Sequence, residues 1–170
     1  VLTLFNAAVL LTFATAAAWS DIRHRRVSNR LNLVILVAGL GWRAAEGGWS
    51  PILGLAGAVT GLALLIIPFH ARWIGAGDVK LTAAFGAWLG PTGILWSTLA
   101  GLVGGGLLSL VLVAVGGAAL RRSVADNLAT AALSRSVPSA PRRIASATVP
   151  MAVPLGISAA AVFAITRGVF

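Results

Sequence analysis

The sequence predicts an all-α, polytopic membrane protein with about six transmembrane helices and both termini facing outward. Three observations predict it. Hydrophobic residues make up 58% of the 170-residue chain and charged residues only 10%, where a soluble domain carries about a quarter charged residues. The mean hydropathy is +0.94. The apolar residues also fall into runs near the ~20 residues that cross a bilayer core. One core of this size cannot hide so much apolar surface, so lipid is the solvent for most of the chain. No soluble second domain and no internal repeat stands out, and residues 1–170 read as one transmembrane domain.

The elements follow in order. Leu2 to Trp19 is the first span. It lacks a basic segment before it and is followed by arginines, the flank of a retained helix rather than of a cleaved signal. The polar, basic stretch SDIRHRRVSNRLN, residues 20–32, comes next. A short second span runs from Val27 or Leu31 to Ala45 and includes Arg43. EGGWSP, Glu46 to Pro51, is a turn by its glycine and proline content. The third span is Ile52 to Phe69, followed by the loop HARWIGAGD. Val79 to about Ala119 is too long for one span, and GPTG, Gly90 to Gly93, splits it into a fourth and a fifth at a hairpin turn. Arg121 to Arg143 is polar, with an amphipathic character that suits the membrane interface. The last span runs from about Val149 to Ile165.

Charge sets the orientation. With six spans, the loops after the first, third and fifth share one side. They hold Arg23, Arg25, Arg26, Arg30, Arg72, Lys80, Arg121, Arg122, Arg135, Arg142 and Arg143, against Arg43 and Arg167 opposite. By the positive-inside rule those loops are cytoplasmic. Glycines four apart, Gly57 and Gly61, Gly86 and Gly90, Gly101 and Gly105, let helix backbones approach closely. Trp19, Trp73, Trp88 and Trp96 fall near span ends, as interfacial tryptophans do.

Composition also excludes. Cysteine is absent, which removes disulfides, thiolate catalysis and cysteine metal sites. His24 and His70 show no metal-ligand spacing, and no metal or cofactor is expected. The formal charge of +9 reads as topology and anionic-lipid contact rather than nucleic-acid binding, for which no motif is present.

Only four residues are acidic. Glu46 lies in an outward turn, and Asp126 sits among arginines that balance it. Asp21 closes the first span and Asp78 opens the fourth, both on the cytoplasmic side. Asp78 has a plain reading as a helix N-cap. Asp21 pairs with Arg25 as a plain reading, four residues on, but the C-terminal end of a helix is electrostatically poor for an acid. Two carboxylates at one level of a bundle suggest acid/base chemistry. If they approach, they cannot both ionise easily; one keeps a proton as general acid while the other activates water. Gly75 and Gly77 beside Asp78 allow a substrate backbone to come close. Lys80 and Arg72 flank Asp78 and read as snorkelling to headgroups. Asn29 and Asn32 are placed to hydrogen-bond near Asp21 or to cap the next helix.

These residues carry a resemblance. GAGD, Gly75 to Asp78, followed by Val79, Lys80 and Leu81, looks like the GxGD signature of membrane aspartyl proteases. DIRHRRVSNRLN, Asp21 to Asn32, is similar to the prepilin peptidase pattern of an aspartate, a basic loop and a hydrophobic-Pro-Asn group; Val27, Ser28 and Asn29 stand there, with serine for proline. VPMAVPLGISAA, Val149 to Ala160, resembles the opening of that family's last helix. The order matches, and presenilin-like proteases fit less well.

The resemblance implies a type IV prepilin peptidase, a single peptidase domain in the bacterial inner membrane with its site facing the cytoplasm. Asp21 and Asp78 would be catalytic; Gly75, Gly77, Lys80 and Asn29 would shape the loop and the substrate path. The partner would be a prepilin with a basic leader and an apolar helix docked among the glycine-rich spans, in an oligomeric state that sequence leaves open. Without cysteine the chain looks like the short Tad/Flp-pilus form, for which methyltransferase activity is not expected. The basic loops near Asp21 would repel a basic leader, so they read as serving topology. Alternatives are a small transporter or channel subunit, a non-catalytic pilus assembly subunit, and a GxGD protease for other membrane substrates. For a transporter the spans are poor in polar residues, with Asn6, Thr12 and Thr60 isolated.

Overall fold

The computed structural model describes residues 2–24, 28–71, 74–118, 121–122, 124–126, 129 and 151–167, and every regular element among them is an α-helix. The first helix, α1, is Leu2–His24. It continues past the expected end at Trp19, so Asp21 lies in its last turn. Arg23 and His24 end it, cations suited to the negative end of the helix dipole. The second, α2, is Asn29–Glu46, capped by Ser28, whose hydroxyl accepts from the Leu31 N–H at 3.1 Å. The serine that departs from the expected proline is thus the residue that starts the helix. Gly47 and Gly48 turn the chain at φ 75° and 59°. They lead into α3, Ser50–His70, with Pro51 in its first turn, where its missing N–H costs nothing.

The fourth helix, α4, is Ala76–Val115 and is broken at one residue, Gly90, at φ 75° and ψ 179°. Pro91 then opens the second leg. The two legs run back past each other. Gly105 abuts Met151, the next residue Ala152 bonds Asp21, and Asp21 acts on Asp78 at the start of the first leg. The predicted hairpin is therefore made by a single left-handed glycine rather than by a four-residue loop. The last helix, α5, is Ala152–Thr166, antiparallel to the second leg. Residues 130–150, including most of the predicted interfacial segment and the start of the predicted last span, lie outside the described residues.

Among the described residues, three helices are long and apolar enough to cross a membrane: Phe5–His24, Ser50–His70 and the doubled-back Ala76–Val115. Ala152–Thr166 is apolar but shorter. Large apolar side chains stay exposed on their outer faces, among them Phe5, Leu11, Val59, Ile67, Val103 and Leu110. So wide an apolar surface suits lipid. The interior is built from Leu10 and Ala14 of α1, Ile35 of α2, Phe85 and Trp88 of α4, and Phe163 of α5.

Glycine makes the tightest contact. A Cβ on Gly57 would lie 2.1 Å from the Gly86 carbonyl oxygen, and one on Gly86 2.2 Å from that of Gly57. Backbones of α3 and α4 meet directly there, as small residues allow. Gly101 and Gly105 are covered instead by the side chains of Leu155 in α5 and of Met151 at its cap. These glycines are spent on packing between the chain's own helices, the close approach that their spacing implied.

Two further expectations are corrected. Trp88 is 2% exposed, not interfacial. It packs edge-on against Phe13 and Phe163, and its indole N–H donates to the Ile35 carbonyl at 2.9 Å. Trp19 and Trp96 are exposed as expected, and Trp73 lies outside the described residues. Arg43, placed within the second span and counted among the outward charges, is 7% exposed. Its Nη2 donates to the Trp88 carbonyl at 2.8 Å and its Nη1 to Ser50 at 3.3 Å. The last carbonyls of a helix leg lack helical partners, and here the guanidinium supplies one. Glu46 completes the cluster, 3.6 Å from Arg43 and held by both Arg167 nitrogens at 2.8 and 3.2 Å.

Candidate active site at the converging helix ends

At the end opposite the Arg43 cluster, the last turn of α1 meets the start of α5, and the first turn of α2 meets that of α4. Asp21 and Asp78 are both half-buried there, close enough for the charge of Asp21 to act on Asp78. They come from distant parts of the chain, and helix packing alone puts them at one level.

Asp21 is held by α5. Its Oδ2 accepts the backbone N–H of Ala152 at 3.1 Å. Ala152 is the first residue of α5, and Met151 at the cap position makes no side-chain cap bond. The first N–H groups of a helix have no internal partner and carry the positive end of its dipole. An acid misplaced for α1 is thus well placed for α5, which accounts for its position without the expected pairing to Arg25, a residue outside the described set.

Asp78 is not the N-cap expected from sequence. Gly75 is, and Asp78 stands at the third helical position, its carboxylate bonded back to the Gly75 backbone. This is the returning half of a capping box. Gly75 and Ala76 are exposed, so the loop is open to approach from outside the bundle.

The first turn of α2 grips this loop. Lys80 Nζ donates to Asn29 Oδ1 at 3.0 Å, so the two flanking residues expected to shape the loop are joined to each other. Asn32 is 5% exposed, and its Nδ2 donates to the Gly77 carbonyl at 3.5 Å. Its side chain therefore serves the loop of Asp78, not Asp21 as expected. All six residues singled out from sequence, Asp21, Asp78, Gly75, Gly77, Lys80 and Asn29, fall at this end. Sequence reasoning missed the Ala152 amide, which carries no side-chain signal, and undervalued Asn32, whose apolar flanks marked it as buried. Arg72 lies outside the described residues.

A cluster of this kind can hold a water between two carboxylates, one ionised and one protonated, and polarise an amide carbonyl beside it. Comparison with known proteins gives one finding: the model of the type IV leader peptidase family matches residues 8–119, a segment containing both aspartates. No curated protein and no solved structure matches the chain.

Proposed function

Because the chain belongs to the type IV leader peptidase family, we propose that it is a membrane aspartyl endopeptidase that removes the basic leader of type IV prepilins, with Asp21 and Asp78 as its catalytic pair. Family membership implies cleavage of a prepilin leader; the residues and the mechanism are our reading. The observation that carries it is the convergence of the two carboxylates within electrostatic reach. The resemblance to the short Tad/Flp-pilus form makes a Flp-type prepilin the substrate of choice. Six spans, outward termini and a cytoplasmic site in the inner membrane belong to the same proposal, supported by the distribution of Arg and Lys.

The chemistry needs one proton shared by the pair. The ionised carboxylate takes a proton from water as the water oxygen attacks the scissile carbonyl carbon. The protonated partner gives its proton to the carbonyl oxygen. The tetrahedral gem-diol collapses as a proton passes to the amide nitrogen and the C–N bond breaks. The leader leaves with a new carboxyl group, the pilin with a new amino group, and the pair again holds one proton. The Ala152 N–H and the Gly75 backbone fix the two carboxyl groups, so little reorganisation is needed at the moment of reaction. The scissile bond of a prepilin lies where a basic leader meets an apolar helix, which is the height of a pair at the end of a helical bundle.

A second reading has an observation of its own. Both carboxylates also satisfy helix N-termini, which a non-catalytic assembly subunit would equally need. Cleavage of a Flp-type prepilin by reconstituted wild type, Asp21→Asn and Asp78→Asn separates the two. Leader removal by wild type and its loss in each variant supports the peptidase. Cleavage surviving either substitution removes that residue from the mechanism.

A further inference from the structure

We propose that Asn32 is a positioning residue of this site: its buried amide holds the Gly77 carbonyl and so fixes the turn that presents Asp78. The inference rests on the peptidase reading for its catalytic consequence, but its structural part stands alone.

Two links join the first turn of α2 to the start of α4. The Asn29–Lys80 bond is exposed, and an exposed polar link contributes little. The Asn32–Gly77 bond is partly buried. Asn32 sits one turn into α2 with 5% of its surface exposed. Only an amide nitrogen can donate to the Gly77 carbonyl, so the network fixes which end of the side chain faces it. That leaves Oδ1 buried without a hydrogen-bond partner among the described residues. A buried polar atom left unpaired costs about 1–3 kcal/mol, and leucine of similar size would avoid it. An asparagine kept at such a cost points to what its other end does.

What it does follows from the geometry of the loop. Gly77 immediately precedes Asp78 and has no side chain with which to anchor itself. Its neighbours Gly75 and Ala76 are exposed. The contact at 3.5 Å is long, and catalytic hydrogen bonds commonly tighten only with substrate bound. Asn32 thus supplies a side-chain tether from α2 to the peptide that precedes Asp78, beside the bond that the Thr82 hydroxyl makes within α4 to the Asp78 carbonyl at 2.8 Å.

The test uses the full chain in lipid nanodiscs. Hydrogen exchange of the segment 74–80 is compared between wild type and Asn32→Leu, alongside steady-state cleavage of a Flp-type prepilin. The expected result is at least fivefold faster exchange confined to that segment, with kcat down about ten- to a hundredfold and KM unchanged, the effect of a small misplacement of a reacting group. Unchanged exchange overturns the proposal, as does faster exchange with wild-type kcat. If Asn32→Leu does not fold, Asn32→Asp replaces it, closest in shape but lacking the donor while ionised. Folded Asn32→Asp with wild-type exchange overturns the proposal too. A wild type that cleaves no prepilin defeats the peptidase reading, and exchange alone then decides whether Asn32 holds the loop.

Discussion

Asp21 and Ala152 are 131 positions apart, and the carboxylate of the first accepts the backbone N–H of the second at 3.1 Å. One aspartate thus sits in the last turn of α1 and caps α5. This double duty lets chemistry and stability be separated by choice of substitution. Asp21→Asn keeps an oxygen that can accept the Ala152 N–H, so its unfolding midpoint should stay near wild type while prepilin cleavage falls at least a hundredfold. Asp21→Ala loses the cap as well and should cost a further ~1 kcal/mol of stability. Equal stability of the two variants in a detergent-unfolding titration would show that the Ala152 contact contributes nothing.

Asp78→Asn is expected to behave in the same way. Its amide oxygen can still accept from the backbone of Gly75, so α4 should keep its start and its helicity by circular dichroism. Cleavage should fall by a similar factor, and Asp21→Asn/Asp78→Asn together should be no worse than either alone, because residues acting as a unit are non-additive. Multiplicative losses would mean that the two carboxyl groups act independently.

The Gly57–Gly86 contact gives a prediction about the fold alone. With a Cβ placed 2.1 Å from a carbonyl oxygen, Gly57→Ala must push α3 and α4 apart. Overpacking of this kind costs about 1–3 kcal/mol. Gly41→Ala is the control, since a Cβ there meets nothing within 4 Å and alanine favours the helix. The unfolding midpoint should drop for the first and hold or rise for the second.

Much of this was legible in the sequence because it is local. Apolar runs marked the helices, GPTG marked the reversal, and GAGD with Asp21 marked the candidate site. What was not legible depends on partners far along the chain. Hydropathy treats Arg43 as a span-ending charge, yet the charge is buried because it meets the open carbonyl of Trp88 and the carboxylate of Glu46. Trp88 looked interfacial by position, but the hairpin at Gly90 turns it inward. Asp21 looked misplaced because its partner is a backbone N–H, and no residue type announces one.

Orientation can be read directly, since the sequence has no cysteine and single cysteines report without background. Trp49→Cys is in the turn between α2 and α3, and His24→Cys is at the end of α1 beside Asp21; both positions are exposed. In right-side-out cells an impermeant maleimide should label position 49 and spare position 24 until the membrane is opened. The reverse pattern would invert the proposed topology and put the candidate site outside.

The cluster at the opposite end predicts a pH dependence of stability. Burial alone would raise the pKa of Glu46, but the Ser50 hydroxyl, the bonds from Arg167 and the charges of Arg167 and Arg43 outweigh it and hold the carboxyl below its ordinary value. A carboxyl depressed in the folded state contributes stability that is fully present above its unfolded pKa, about 4.3. That contribution is lost as pH falls through the lower folded value, because the unfolded chain takes up the proton first. Wild type should therefore lose stability on acidification below about pH 5, and Glu46→Gln should lose less over the same range while being less stable at pH 7. The comparison is an unfolding midpoint at pH 7 and at pH 4 for each protein. Parallel losses in the two would remove Glu46 as the titrating group and leave the Arg43 and Arg167 contacts as simple packing.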